Sequence, residues 1–266
     1  MKSGEERTIL NVLGLSKKFG GLLALSDVKF EVREGRIIGI IGPNGAGKTT
    51  LFNVISGFLK PMKGKVMFEG SDITGLKPHR IAKSGLVRTW QLVNLIGNRS
   101  ALDNIMIAHH LQYQVGPVRT AWLTPTAREE EETIRKNALG LMNRMGLEEY
   151  KHEFTSSLPH GIQRLIGVCM ALATKPKLLL LDEPTAGMSS TETAVLIQLI
   201  REIRRQGITV LLVEHNMKVI MTLCDRIVVL NFGKKLAEGT PEEISKDEEV
   251  VKAYLGLEYK MNCHAA

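Results

Sequence analysis

The chain has 266 residues, 44% of them hydrophobic and 5% aromatic, with a formal charge of +7 from 35 basic against 28 acidic side chains. That length buries a substantial core and suits one domain with an insertion or two modest subdomains. Cys169, Cys224 and Cys263 lack C-x-x-C spacing, which argues against a zinc site or a disulfide framework and for a reducing, intracellular setting. No stretch approaches the roughly 18 consecutive apolar residues of a spanning helix, and the opening residues carry no apolar h-region. Work at a membrane would therefore need other chains to span it.

Taken in order, Ile9 to Leu15 and Val28 to Val32 read as short strands of an antiparallel sheet packed on one face, separated by a turn at Gly20-Gly21. Phe19, just ahead of that turn, is either ordinary turn packing or an aromatic face for a purine ring. The apolar run Ile37 to Ile41 then stops at Gly42-Pro43-Asn44-Gly45-Ala46-Gly47-Lys48-Thr49-Thr50, which feeds a helix over Leu51 to Ser56. Strand, glycine-rich turn and helix in that order make a phosphate cradle, the Walker A motif. Its glycines let successive N–H groups point at phosphate oxygens, and the helix adds its positive end. Lys48 would bridge the outer phosphates, and the Thr49 hydroxyl would bind Mg2+.

Gly64 to Gly70 holds another strand, Lys77-Pro78-His79-Arg80 opens a short helix running to about Lys83, and Leu86 to Gln91 is extended. Strand signals then vanish, and residues 92–160 read as a helical insertion with an irregular loop from Gly116-Pro117 to Pro125. Within it Ala127 to Met145 has Ile134, Ala138, Leu141, Met142 and Met145 at helical spacing, with Glu129 to Glu132 placed as an acidic first turn. The three regions are thus 1–91, an antiparallel β-subdomain plus the first part of the core; 92–160, the insertion; and 161–266, the rest of the core and a tail. Val250 to Ala266 fits either a packed helix or a frayed end.

Beyond Gly161, Ile162 to Ala173 is a helix with Ile162, Ile166, Cys169, Met170 and Ala173 on one side. Leu178 to Leu181 is a strand buried on both faces, and Thr191 to Arg205 an amphipathic helix turning Val195, Leu196, Leu199, Ile200 and Ile203 inward. Strands at Ile208 to Val213 and Ile227 to Leu230 flank a helix from Met217 to Cys224, the alternation of a parallel sheet with crossover helices. Asp182, ending the four-leucine strand in the Walker B position, is the expected Mg2+ carboxylate. Glu183 beside it is placed to polarise or deprotonate an attacking water. His215 ends the next strand and is either structural or a γ-phosphate contact; Gln91 is equally open in isolation.

Phe19, Gly42 to Thr49, Gln91, Leu158-Pro159-His160-Gly161-Ile162-Gln163-Arg164, Leu178 to Glu183, Ala186-Gly187-Met188-Ser189 and His215 resemble, in order and spacing, the nucleotide-binding subunit of ABC transporters. The resemblance covers nearly the whole chain and implies an α/β fold: a P-loop cassette with a parallel-sheet core, an antiparallel β-subdomain and an inserted α-helical subdomain. It implies that Phe19 stacks on adenine, that Gln91 senses Mg2+ and water while contacting the membrane partner, that Glu183 is the catalytic carboxylate and that His215 contacts the γ-phosphate. His160, Gly161 and Gln163 would complete the ATP site of a second cassette. Val213-Glu214-His215-Asn216-Met217, Thr89-Trp90-Gln91, the long insertion near 105–135 and Ala253-Tyr254-Leu255-Gly256 look like the branched-chain amino-acid importer ATPases of bacteria and archaea.

That resemblance implies ATP and Mg2+ as cofactors and a place on the cytoplasmic side of the membrane. The implied partners are membrane-spanning permease subunits, a second ATPase subunit, identical or not, and an extracytoplasmic solute-binding protein. Importers of urea or short amides are close relatives, so the cargo stays open. A soluble ABC ATPase acting on nucleic acid or ribosomes is the rival. The basic charge permits it, but no Lys/Arg-rich arm or aromatic stacking platform accompanies it, so no nucleic acid is expected. Two residues depart from the family pattern. Pro159 stands where the signature loop usually has serine, removing a hydroxyl and a backbone donor and implying weaker ATP-driven dimerisation. Ser189 replaces the asparagine or aspartate often found after Walker B.

Overall fold

A computed structural model describes residues 7–89, 95–109 and 125–254, with side chains in the last stretch described from residue 128. The chain divides into two compact units, one made of Met1–Arg88, Lys177–Thr185 and Ile200–Ala266, the other of Thr89–Pro176 and Ala186–Leu199.

In the first unit, β1 (Thr8–Phe19) and β2 (Leu22–Arg33) form a long antiparallel hairpin. Both strands outrun the short segments expected from the sequence because pairing continues to Phe19 opposite Leu22, around Gly20-Gly21. Leu10, Val12, Leu15, Val28, Phe30 and Val32 are buried, so the alternation does place one face on a core. With β4 (Lys63–Phe68) and the two-residue β5 (Ser71–Asp72) the sheet runs β2-β1-β4-β5.

The second sheet of this unit is the α/β core. Its order is β10-β9-β3-β8-β7-β6, from β3 (Ile37–Ile41), β6 (Leu86–Arg88), β7 (Leu178–Asp182), β8 (Thr209–Val213), β9 (Arg226–Asn231) and β10 (Lys234–Gly239). All but β10 run parallel, and every residue of β3, β7 and β8 is buried, as their unbroken apolar runs require. β10 pairs antiparallel at the edge and carries exposed Lys234 and Lys235, a charged edge strand with no apolar alternation to betray it. Helices α1 (Lys48–Ile55), α2 (Pro78–Lys83, proline in its first turn), α7 (Met217–Leu223) and α8 (Pro241–Lys246) also belong to this unit, and α6 (Ser190–Arg205) ends in it. Asp225 fastens the amino ends of the strands: it accepts from the Ile37 N–H at 2.8 Å and pairs with Arg204 at 2.8 Å. The opposite, carboxyl ends of β3, β7 and β8 are left to carry function.

The second unit is helical among its described residues. α3 (Ala101–Ala108) starts at Ser100, whose side chain accepts from the Asp103 N–H, and α4 (Pro125–Arg144) buries Ile134, Ala138, Leu141 and Met142. Because α4 begins at Pro125, Glu129 to Glu132 lie beyond the first turn, with Glu129, Glu131 and Glu132 exposed and Glu130 half-buried, so the acidic run is not the dipole-matched start expected of it. In α5 (His160–Ala173) the buried side chains include Leu165, Ile166, Val168, Cys169 and Leu172, whereas Ile162 and Met170 are only half-buried, so the inward face is rotated from the expected one. Val195 of α6 is likewise exposed, while Leu196, Leu199, Ile200 and Ile203 are buried. Trp90, Gln91, the Gly116-Pro117 stretch and residues after 254 lie outside the described residues. Helix persists through 248–254, with Val250 buried.

Candidate functional site

The apolar run of β3 ends at Ile41, and the next residue must be glycine. Gly42 has φ 153°, and a Cβ there would run into the Leu230 carbonyl. Gly47, φ 102°, forms the N-cap of α1, and a Cβ on it would lie 2.6 Å from the Ala24 carbonyl oxygen. A glycine cannot cap a helix with its side chain. The first-turn N–H groups of α1 therefore remain for a ligand, at the positive end of the helix. Asn44 to Thr50 line a cavity of about 610 Å³ whose other walls include Phe19, Leu22, Leu23, Glu183, His215 and Phe232.

Lys48 is buried, and its Nζ donates to the carbonyls of Gly42 at 2.6 Å and Pro43 at 3.0 Å. Burial pushes its pKa down, and the Glu183 and Asp182 carboxylates push it back up. The ammonium is thus folded onto its own loop, within the field of both carboxylates.

Those two neighbours face different partners. Asp182 is buried and takes Arg88 Nη2 on Oδ2 at 2.6 Å, with both side chains 6% exposed or less. Arg88 also donates to Asn53 of α1 at 2.7 Å and to Ser56, the C-cap of that helix, at 3.1 Å, and stacks over Phe52, so the carboxylate, the guanidinium and the P-loop helix form one buried polar group. Glu183 has φ 47°, a left-handed conformation that costs a non-glycine residue about 1–2 kcal/mol. That twist turns its side chain into the cavity, where Oε1 lies 2.5 Å from His215 Nε2.

Glu214 explains how this geometry is held. Its carboxylate is 3% exposed and accepts from the Thr185 N–H at 2.8 Å, the Thr185 hydroxyl at 2.5 Å, the His215 N–H at 3.0 Å and the Asn216 N–H at 3.3 Å. One buried anion thereby ties the loop after β7 to the loop after β8. Glu183 and His215 are brought together because each belongs to one of those loops.

Phe19, the P-loop, Glu183 and His215 thus line one cavity of the first unit, with Asp182 close enough to act on Lys48. The tail contributes as well: burial pushes the Tyr254 phenol up to about 12, opposed by a hydrogen bond with the backbone of Gly42. His160, Gly161 and Gln163 belong to the other unit. There Pro159 is the N-cap of α5, His160 is exposed, and Gln163 Nε2 donates to the Leu158 carbonyl at 2.8 Å, closing its own loop. Gly161 is buried against the Glu192 carboxylate, which accepts from the Ser189 N–H at 2.8 Å while Ser189 Oγ accepts from the Glu192 N–H at 3.2 Å. Ser189 is therefore a reciprocal helix cap in this chain. Sequence reasoning gave no role to Arg88, Thr185, Glu214 or Phe232, although Glu214 lies in the Val213 to Met217 stretch that carries the resemblance. The first three depend on parallel register and loop pairing, and the fourth on a hairpin hidden by its polar edge strand.

A P-loop, a Walker B carboxylate, and a glutamate and histidine at the ends of neighbouring parallel strands define a nucleotide-hydrolysing cassette. The chain belongs to the ABC transporter family, whose model matches residues 25–186, and a model described as branched-chain amino acid ATP-binding cassette transporter matches residues 234–260. It is 41% identical over 251 residues, 94% of this chain and 98% of the relative, to the high-affinity branched-chain amino acid transport ATP-binding protein BraF of Pseudomonas aeruginosa. A solved cassette of an ABC transporter in its ADP conformation aligns with TM-score 0.81 at 31% identity, covering 94% of this chain and 99% of that one. A dimeric cassette in a post-hydrolysis state bound to ADP and Pi aligns with TM-score 0.75 at 26% identity, covering 88% and 99%.

Glu214→Ala leaves the Thr185 hydroxyl and three amides without their acceptor. Unfolding free energy should fall by about 1–3 kcal/mol in urea titrations, the cost of buried polar groups left unsatisfied.

Proposed function

We propose that this ATPase works as one of a pair of cassettes on the cytoplasmic face of a membrane importer of branched-chain amino acids. The observation that carries the chemistry is the meeting of a phosphate cradle with the Glu183–His215 pair on one cavity. Similarity along nearly the whole chain to a branched-chain amino acid transport protein supports the cargo. Among the described residues no helix is long and apolar enough to cross a membrane, so the path for the solute belongs to permease subunits. An extracytoplasmic binding protein would deliver the solute to them.

In this reading the amides of Gly45 to Thr50 take the phosphates, and Lys48 leaves the Gly42 and Pro43 carbonyls for the outer phosphate oxygens. Phe19 stacks on adenine. The hard oxygen donors of Thr49 and Asp182 fit Mg2+, Asp182 keeping Arg88 on one oxygen. Bound there, Mg2+ would neutralise charge building between the phosphates. Glu183 accepts a proton from the attacking water as its oxygen bonds to the γ-phosphorus and ADP departs. His215, hydrogen-bonded to Glu183, holds that carboxylate and contacts the γ-phosphate.

His160, Gly161 and Gln163 of one copy complete the site of the other, and Gln91 reports nucleotide state to the permease. ATP binding closes the pair and hydrolysis reopens it, passing motion to the membrane subunits. Pro159, exposed at the start of α5, weakens the closed dimer because that position offers neither hydroxyl nor N–H to the partner's phosphate.

Affinity purification from the native membrane should bring down multi-span permeases, and vesicles holding the complex should take up leucine or valine when ATP is supplied on the cassette side. Uptake of urea or short amides instead would overturn the cargo, and ribosomal partners without permeases would overturn the transport reading. Pro159→Ser should raise ATP-dependent dimerisation severalfold in sedimentation experiments; an unchanged dimer constant would remove the role given to the proline.

A further inference from the structure

Phe232 occupies the tip of the β9–β10 hairpin and is 85% exposed, the highest value for a large hydrophobic side chain among the described residues. Asn231 pairs with Lys234 across a two-residue loop, and Phe232 and Gly233 have φ 44° and 77°. Two positive φ angles in a two-residue hairpin are those of a type I′ turn, which favours Asn-Gly or Gly-Gly. A bulky aromatic there is a backbone outlier. Burial within the unit does not compensate it, since the ring stands in solvent.

The tip is also pinned. The Gly233 N–H donates to the Ala46 carbonyl of the P-loop at 3.0 Å, and the Gly233 carbonyl accepts from the Ser26 N–H of β2 at 2.8 Å. The hairpin is thereby fastened on one side to the phosphate cradle and on the other to the strand that follows Phe19. Phe232 and Phe19 line the same cavity, together with Leu22 and Leu23, and each of these four apolar side chains is at least 43% exposed. An apolar rim continuous with a phosphate cradle fits one kind of occupant, a flat ring attached to a polyphosphate.

We infer that Phe232 is a second aromatic contact for the purine base of ATP, opposite in sequence but adjacent in space to the hairpin that carries Phe19. The inference rests on the ATP-binding reading and adds to it a residue that no cassette motif contains. The attachment of the tip to Ala46 and Ser26 through Gly233 fixes the backbone beside Phe232 before nucleotide arrives, so docking of the base has only the ring's own rotamer to order.

The test compares MgATP with magnesium tripolyphosphate, which keeps the phosphates and lacks the base, by equilibrium titration of the full-length chain. Phe232→Asn suits the turn and should fold at least as well as the parent. It should bind MgATP about tenfold more weakly while binding tripolyphosphate equally, and Phe232→Tyr should restore ATP affinity. Unchanged ATP affinity in Phe232→Asn would overturn the inference and leave the ATP reading standing. So would equal losses for both ligands, which would mean that the hairpin acts only through the P-loop. Retained ATP affinity with lost ATP-dependent dimerisation would move the ring to an interface between copies. A parent chain that binds neither ligand would overturn both readings.

Discussion

The arrangement of this site depends on one buried carboxylate. Glu214 receives four donors from two loops, and those loops carry Glu183 and His215. Parallel strands end side by side but do not fix the loops that follow them. A buried anion with all its donors satisfied does, because any loosening exposes an unpaired charge to a poorly solvating interior. The left-handed backbone at Glu183 persists for the same reason: the surrounding hydrogen bonds determine it more strongly than its own preference.

A second buried polar group works from below the phosphate loop. Arg88 joins Asp182 to Asn53 and Ser56, linking the end of β7 to the helix that begins at Lys48. Desolvation takes back much of what such a pair gains in attraction, so its value lies less in net stability than in fixing where Asp182 can stand. Lys48 completes the balance. Its ammonium rests on two uncharged carbonyls, in the field of two carboxylates, and an anionic phosphate oxygen is a stronger acceptor for it than either carbonyl. The cradle is therefore organised in advance, with its one long cation free to change partners.

Much of this was legible in the sequence. The unbroken runs of β3, β7 and β8 read as doubly buried strands because nothing polar interrupts them, and the Walker A turn could be placed because glycine spacing is a direct record of backbone need. The four-leucine strand likewise marked Asp182 and Glu183. Helix phase was less readable: Ile162, Met170 and Val195 are apolar yet not buried in the core, since hydrophobic residues mark faces only to within a rotation. The β10 edge was hidden by its lysines, and with it the hairpin carrying Phe232. The roles of Arg88 and Glu214 were hidden for a different reason. Their importance comes from which strands are neighbours, and neighbour order in a parallel sheet is not written in local pattern.

The turnover proposed for this site turns on the Glu183 carboxylate acting as its base. Its most direct test is the ATPase rate of Glu183→Gln, an isosteric change that keeps hydrogen bonding and removes the base. Turnover should fall by about 10²- to 10⁴-fold, the range for losing a positioned general base, while MgATP still binds. A folded Glu183→Gln chain that hydrolyses ATP at the parent rate would mean that Glu183 is not the base.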